Sequence, residues 1–358
     1  HGVVRPGKFT VFPQAIALSA TWNPALIQQV TTAISDEARG KWNFYDLGKR
    51  QHDGSSDLLC FWSPTINMAR DPRWGRTPET YGEDPFLTGS IACGFIKGLQ
   101  GNDSRYIKCI ATLKHFAANN EEHNRASCNA VIGERDLREY YLPAYEMCVK
   151  KAHVQSVMTA YNRLNGVPCV ANNYLIQKVL RHDWDFDGFM VSDCSAPQWM
   201  VTQHKYVSDY ETAAVLMMKA GMDLECADNV YTQPLLDAYR HYRVTQADID
   251  SAAYHLLRGR MRLGVFDDPA LNPYNKISPE KVGCREHQQL ALETARQSLV
   301  LLKNDKNILP LNKKKIKSVA VVGINAARCE FGDYSGTPVN APVSVLDGIR
   351  NLVGNNVK

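Results

Sequence analysis

The chain has 358 residues, 44% hydrophobic and 22% charged, with a formal net charge of +4. That is a globular mix, long enough for two domains or for one large domain plus part of another. The positive excess is small for the size; one basic run aside, nothing supplies the broad basic face that nucleic-acid binding needs, and no apolar run approaches the ~18 residues of a membrane span.

The one dense basic run, Lys313-Lys314-Lys315-Ile316-Lys317, reads as a solvated loop ahead of a strand. The ten cysteines are scattered, with no Cys-x-x-Cys pair and no zinc-type Cys/His spacing. No metal or organic cofactor is implied. Buried free thiols are the expected state of most cysteines, with room for about one or two disulfides. The chain begins at His1, which fits a mature or clipped chain, so the lack of a signal peptide decides nothing.

In chain order, the first apolar strand is expected at Thr10-Val11-Phe12-Pro13 with Ala15-Ile16-Ala17-Leu18. A helix follows from Pro24, a residue suited to a first helical turn. A second strand runs from Leu58 to Trp62 and on through Ile66, with its helix from Asp84-Pro85 to the Gly98–Gly101 region. A third, Cys109-Ile110-Ala111-Thr112-Leu113, ends in Lys114-His115. The helix after it spans Glu134 to Lys150, with Leu137, Tyr141, Ala144 and Cys148 on one stripe and a kink at Pro143. A fourth strand covers Ser156 to Tyr161. The fifth is Phe189-Met190-Val191, continuous apolar residues broken by Ser192 and Asp193. A helix from Glu211 stops at Gly221, and Met222 to Cys226 makes a sixth short strand.

Strands alternating with helices predict a parallel sheet. Six such units without a phosphate-binding glycine motif favour a (β/α)8 TIM-type barrel. The one or two strands still needed are expected upstream of His1, so the N-terminal part of the barrel is missing from the sequence. Residues 249–264 read as a helix closed by Gly264, 267–285 as a linker, and 286–300 as a connecting helix. Val319-Ala320-Val321-Val322-Gly323 reads as a buried strand opening an α/β sandwich domain. Gly323-Ile324-Asn325-Ala326-Ala327 lacks the further glycines of a dinucleotide site. The expected organisation is a barrel over 1–266, linker and connecting helix over 267–312, and a truncated second domain over 313–358.

Polar residues gather where the strands end, which in a parallel barrel is the catalytic mouth. Asp193 is the central candidate for a catalytic carboxylate; capping the next turn is its plain alternative. Around it fall Arg76, Lys114-His115, Asn119, Asn120, Glu122, Arg125, Met158, Tyr161 and Asn162. Cations and neutral donors around one carboxylate suit a sugar, with Trp62, Trp74 and Trp199 able to pack on its C–H faces. Arg76 could instead pair Glu79 or Glu83 to brace its loop. His115 could be a hydrogen-bonded core histidine. Lys114 is harder to explain structurally, because a buried lysine is costly.

The runs Asp71-Pro72-Arg73-Trp74-Gly75-Arg76, Glu79-Thr80-Tyr81-Gly82-Glu83-Asp84-Pro85, Lys114-His115-Phe116 and Val191-Ser192-Asp193 resemble glycoside hydrolase family 3, the β-glucosidases and β-xylosidases. The resemblance extends over nearly the whole chain, through Thr10-Val11-Phe12-Pro13-Gln14 and Ala160-Tyr161-Asn162. It implies a retaining, exo-acting hydrolase that removes β-linked xylosides or glucosides from non-reducing ends. Asp193 matches the nucleophile. Arg76, Lys114, His115 and Arg125 match groups that hold the sugar hydroxyls; Met158 and Tyr161 match residues that line the same subsite. Lys114 and Arg76 are also expected to keep Asp193 ionised.

A retaining glycosidase needs a second carboxyl as acid/base. In the family it usually comes from the second domain, and none is assigned here. The acid that precedes the family's His-Gly pair, matched by His1-Gly2, would also lie upstream; it would best separate xylose from glucose. Gly221 to Cys226 and the Cys194 after the nucleophile lean toward the xylosidase-like branch. The alternative is a catalytically impaired carbohydrate-binding homologue, or a fragment lacking the acid/base. An N-acetylglucosaminidase is disfavoured by the lack of its Asp-His loop. A Lys114 Schiff-base aldolase is disfavoured by the lack of a phosphate site. The expected partner is an oligosaccharide or β-glycoside, with a homo-oligomer compatible and no nucleic acid or membrane. Substrate class leads to an expected secreted or periplasmic location.

Overall fold

The computed structural model describes residues 2–4, 7–47, 58–332 and 334–358; His1 of the His1-Gly2 pair lies outside them. Its centre is a four-stranded parallel sheet. In order across the sheet the strands are β1 (Cys60–Phe61), β2 (Ile110–Phe116), β3 (Ser156–Thr159) and β4 (Phe189–Val191). Cys60 pairs with Ile110, Thr112 with Ser156, and Ser156 in turn with Phe189. A further parallel bridge joins Val191 to Leu224. The Met222–Cys226 segment is thus the next neighbour in the sheet, reduced from an expected strand to one bridge.

The continuous apolar runs follow from burial on both faces. Phe189, Met190 and Val191 are all buried in the central core. Each such side chain contributes roughly 1.5–3 kcal/mol. Helices supply the outer face. The helix Pro24–Trp42 begins at Asn23, whose side chain accepts from the Leu26 N–H, a cap contributing about 1 kcal/mol. It packs against Pro85–Gln100. The two approach closely because Gly94 and Gly98 lie one turn apart: a Cβ at Gly94 would overlap the Pro24 carbonyl, and one at Gly98 the Thr31 hydroxyl.

Pro143 acts as its chemistry demands. It has no N–H to give, and the helix before it widens into a π turn over Leu137–Tyr141, with Leu142 N–H reaching back to the Leu137 carbonyl at 3.0 Å. A new helix, Pro143–Ala152, starts at the proline, and the stripe Leu137, Tyr141, Ala144, Cys148 stays buried across the break. Tyr210–Ala220 ends at Gly221 with φ +92°, and Gln246–Arg262 opens with a Thr245/Asp248 capping box.

Several expectations are corrected. Ala15–Ala20 is a helix, not a strand, and the extended residues before it, Lys8–Phe9, pair in parallel with Thr337–Pro338 rather than with the central sheet. The helices Tyr174–Asp183, Ala196–Thr202 and Gln233–Arg240 were not anticipated. Val319–Gly323 is no buried strand: Val322 is 90% exposed, and among the described residues the Val319 N–H goes to the Lys358 carbonyl rather than to a neighbouring strand. A parallel strand is buried only when neighbours flank it and helices cover it. Among the described residues of 313–358 the one α-helix is Val345–Val353, and no buried layer forms.

The 267–285 segment is a run of short 3₁₀ turns tied to the first long helix. Glu37 accepts from the N–H groups of Thr10 (2.9 Å) and Gly283 (3.1 Å). Arg39, fully buried, donates to the carbonyls of Lys108, Ile107 and Leu263. Glu37 and Arg39 of this one helix therefore fix the N-terminal segment, the linker and the base of β2.

Candidate active site

Asp193 stands two residues past Val191, the end of β4, with its side chain 9% exposed. Its Oδ1 accepts the Cys194 N–H at 2.9 Å. Its Oδ2 lies 3.3 Å from His115 Nε2 and receives no aligned hydrogen bond from the described residues. The loop beyond is anchored twice. A Cys194–Cys226 disulfide, Cα–Cα 4.7 Å, ties it to the Met222–Cys226 segment. Asp228 Oδ1 accepts from Ser195 N–H (3.0 Å) and Gln198 Nε2 (3.2 Å), which holds Ser195 at φ +72°. Burial, then Glu225, pushes the Asp228 carboxyl up to about 6.

Lys114 and His115 come from the end of β2. Successive residues of a regular strand point to opposite faces. Here the register slips: Leu113 pairs with Val157, but Phe116 pairs with Thr159, so three steps on β2 face two on β3. The extra residue is a bulge, a device that re-aims side chains beside a site. It lets adjacent Lys114 and His115 both act on Asp193. The Lys114–His115 and Phe116–Ala117 peptide bonds are cis. Tyr161, just beyond β3, stacks on His115 with centroids 6.3 Å apart and leans on Trp199 at 4.9 Å.

The cations are braced by carboxylates. Arg76 makes a two-point pair with Glu79 at 3.0 and 2.9 Å, the loop-bracing pair anticipated as its alternative. It also lies 4.0 Å from Glu122. Glu122 further accepts from Trp74 Nε1 (3.2 Å) and Arg125 Nη1 (3.0 Å), and Arg125 lies 4.7 Å over the Tyr161 ring. The Lys114 ammonium lies 5.3 Å from the ring of Tyr334, which stands just before Thr337–Pro338. The segment after residue 313 therefore reaches this site.

The electrostatics correct one expectation. Asp193 is held above the ordinary carboxylate range, because burial outweighs the Tyr161 hydroxyl, Lys114, the Cys194 N–H and Arg76, all of which lower it. The cations limit the shift rather than reverse it. Burial, then Arg76, pulls Lys114 below its usual value. His115 falls well below its usual range through burial, then Lys114, Arg76 and Arg125. Burial, then Asp193, pushes the Tyr161 phenol up.

Of the anticipated residues, Asp193, Arg76, Lys114, His115, Arg125 and Tyr161 come together. Met158 is buried in β3 opposite Val191, inside the core. Asn162 donates to the carbonyls of Ala117 and Arg163, and Asp223 is turned away to Arg181 (2.8 Å) and His255 (2.9 Å). Asn67 and Tyr145, behind His115, were not anticipated; an asparagine between Ile66 and Met68 was the one visible signal for the first. The cysteine pair Cys194–Cys226 was left open by spacing alone.

With Arg76, Lys114, His115, Arg125 and Tyr161 around one buried acid, the arrangement can hold a polyhydroxylated ligand against a carboxylate. The chain's relatives point the same way. Residues 1–258 match the model described as Glycosyl hydrolase family 3 N terminal domain, and residues 299–357 the one described as Glycosyl hydrolase family 3 C-terminal domain. The chain is 39% identical over 357 residues to a xylan 1,4-beta-xylosidase of Xylanibacter ruminicola, covering 98% of this chain and 41% of that protein. It is 36% identical to a probable beta-D-xylosidase 7 of Arabidopsis thaliana, covering 97% of this chain and 46% of that one. Among solved structures it is similar to a GH3 exo-beta-xylosidase (XlnD) in complex with a xylobiose aziridine probe. That match has a TM-score of 0.87 at 34% identity and covers 98% of this chain and 45% of that one. A beta-glucosidase from Listeria innocua in complex with glucose matches with a TM-score of 0.82 at 27% identity, covering 99% and 47%. The chain thus spans less than half the length of these relatives. On the match of its first 258 residues, the chain belongs to glycoside hydrolase family 3.

Proposed function

We propose that this chain carries the nucleophile and the sugar-holding groups of a retaining β-glycosidase acting on β-xylosides or β-glucosides at non-reducing ends. The observation that carries the reading is the Asp193 carboxylate. It is buried at a strand end, its Oδ2 accepts no aligned hydrogen bond among the described residues, and Lys114, Arg76, His115 and Tyr161 surround it. An acid left unneutralised by close pairing keeps its nucleophilicity, and Lys114 and Arg76 favour its ionised form against the burial that raises it.

In the proposed reaction Asp193 Oδ2 attacks the anomeric carbon as the glycosidic C–O bond breaks. The leaving oxygen takes a proton from an acid not assigned within this chain, and water then hydrolyses the glycosyl ester. Arg76 and Lys114 would hold sugar hydroxyls by charge-assisted hydrogen bonds, with Glu79 and Glu122 fixing the guanidinium forks. We include in the proposal that the parallel strands belong to a closed (β/α)8 barrel, whose catalytic face is at the strand C-termini. The xylosidase names of the relatives support xylose ahead of glucose. Substrate class alone supports a secreted or periplasmic location.

The test is the anomeric proton spectrum recorded during hydrolysis of dinitrophenyl β-xyloside and β-glucoside. The β-anomer of the sugar, appearing first, supports the reading. Initial α-anomer contradicts retention. No turnover of either favours a binding protein.

A further inference from the structure

Behind His115 lies a closed hydrogen-bond ring. Asn67 Oδ1 accepts the His115 backbone N–H at 2.8 Å, and its Nδ2 donates to the His115 carbonyl at 2.9 Å and to the Tyr145 hydroxyl at 3.2 Å. The Tyr145 hydroxyl donates its own proton to the same carbonyl at 2.8 Å. All three side chains are buried. These bonds fix which end of the amide is oxygen, since a backbone N–H needs an acceptor and a carbonyl a donor. The same Oδ1 lies 3.1 Å from His115 Nδ1. An amide oxygen has no proton to offer, so Nδ1 must carry one. A neutral imidazole carries only one.

We infer that Asn67 is a positioning residue that locks the His115 proton on Nδ1, so that Nε2 turns a bare lone pair toward Asp193 and toward the sugar. Two consequences follow at the nucleophile. His115 gives Asp193 Oδ2 no hydrogen bond, which fits an Oδ2 that lacks an aligned donor among the described residues and keeps that oxygen free to attack. Nε2 accepts a proton from a sugar hydroxyl instead of donating one, so His115 selects an O–H at the position it faces. The groups facing the pair are Lys114, Arg76, Arg125, Tyr161 and Tyr145, with Glu79 and Glu122 behind the cations. The burial and cations that lower His115 leave it neutral, the state the inference needs.

The inference rests on the proposed nucleophile, but its direct test does not. The test is a nitrogen-15 spectrum of histidine-labelled protein, with the His115 signals assigned by their loss in His115→Gln. The expected result near neutral pH is a protonated Nδ1 and a bare Nε2. A neutral imidazole with its proton on Nε2 overturns the inference. In Asn67→Ala the lock is gone, and the expected proton moves to Nε2, where it donates to Asp193. The acid limb of labelling by dinitrophenyl 2-deoxy-2-fluoro-β-xyloside then moves down by roughly one pH unit, because a hydrogen bond to the charged form favours it. Asn67→Asp retains an oxygen acceptor and is expected to keep the Nδ1 proton. A merely structural role would lower the labelling rate without moving the limb or the nitrogen signals, and that outcome also overturns the inference. Should Asn67→Ala fail to fold, the wild-type spectrum alone decides. Absence of labelling in the wild type contradicts the glycosidase reading, while the nitrogen spectrum still settles the tautomer.

Discussion

His115 Nε2 lies 3.3 Å from Asp193 Oδ2, yet one lies in β2 and the other just past the end of β4, and they reach each other beside an irregularity in the sheet. The bulge on Ile110–Phe116 turns His115 toward the acid, and Asp193 reaches it because β4 stops two residues short. Burial, the Tyr161 hydroxyl and Lys114 set the acid's electrostatic environment.

Asp193 is raised chiefly by burial, which gives a stability effect with a definite sign. A carboxyl whose folded pKa lies above its unfolded value of about 4 binds its proton more readily when native. Its stabilising contribution is full below that value and is lost as pH rises through the folded pKa. Asp193→Asn should therefore raise the melting temperature at neutral pH, with the gain shrinking toward pH 4 and below. Thermal unfolding of both proteins across pH checks this; a variant less stable than wild type at neutral pH contradicts it.

The same burial shapes activity. The proposed attack needs ionised Asp193, so the acid limb of fluorosugar labelling should lie above the ordinary aspartate value of about 4. Lys114, lowered by burial and then Arg76, should lose its charge below the usual lysine range, and sugar affinity should fall there. Labelling rates from acid to alkaline pH read both limbs.

Much of this site was legible because strand ends interrupt apolar runs. Phe189-Met190-Val191 followed by Ser192-Asp193 marks both a buried strand and its mouth, and the tertiary structure keeps that pattern. Pro143 was equally legible, since a missing N–H has one local consequence. The misreadings have physical causes. Ala15–Leu18 is a short apolar run, and periodicity cannot tell a buried helix turn from a strand at that length. Val319–Gly323 carries strand composition but lacks the flanking layer that would bury it. The β2 bulge is a matter of register between strands, which one strand's sequence does not encode. Asn67 and the Cys194–Cys226 pair are set by spatial proximity across 48 and 32 residues.

Glu122 holds Trp74, Arg125 and, more distantly, Arg76. Glu122→Gln should loosen all three and weaken fluorosugar binding by about tenfold, the loss of roughly one charge-assisted bond, with the inactivation step less affected. Separate measurement of the binding constant and the maximal inactivation rate distinguishes the two. A fall confined to the rate step contradicts a sugar-holding role for these cations.

The disulfide anchors the residue next to Asp193, the proposed nucleophile. Cys226→Ser should lower stability by about 3–4 kcal/mol, the loop-closure value for a separation of 32 residues. It should also slow labelling, since Cys194 N–H orients Asp193 Oδ1. Denaturant unfolding and inactivation kinetics check both. Unchanged kinetics with lost stability would confine the bond to folding.

The central claim is that Asp193 forms the covalent bond to the sugar. The most direct measurement is labelling with dinitrophenyl 2-deoxy-2-fluoro-β-xyloside, with the glucoside in parallel, followed by peptide mass spectrometry. The reagent carries a good leaving group, so it needs no acid from outside this chain. The expected adduct lies on the peptide holding Gly188 to Cys194, at Asp193, and is abolished in Asp193→Asn. An adduct on any other acid contradicts the assignment.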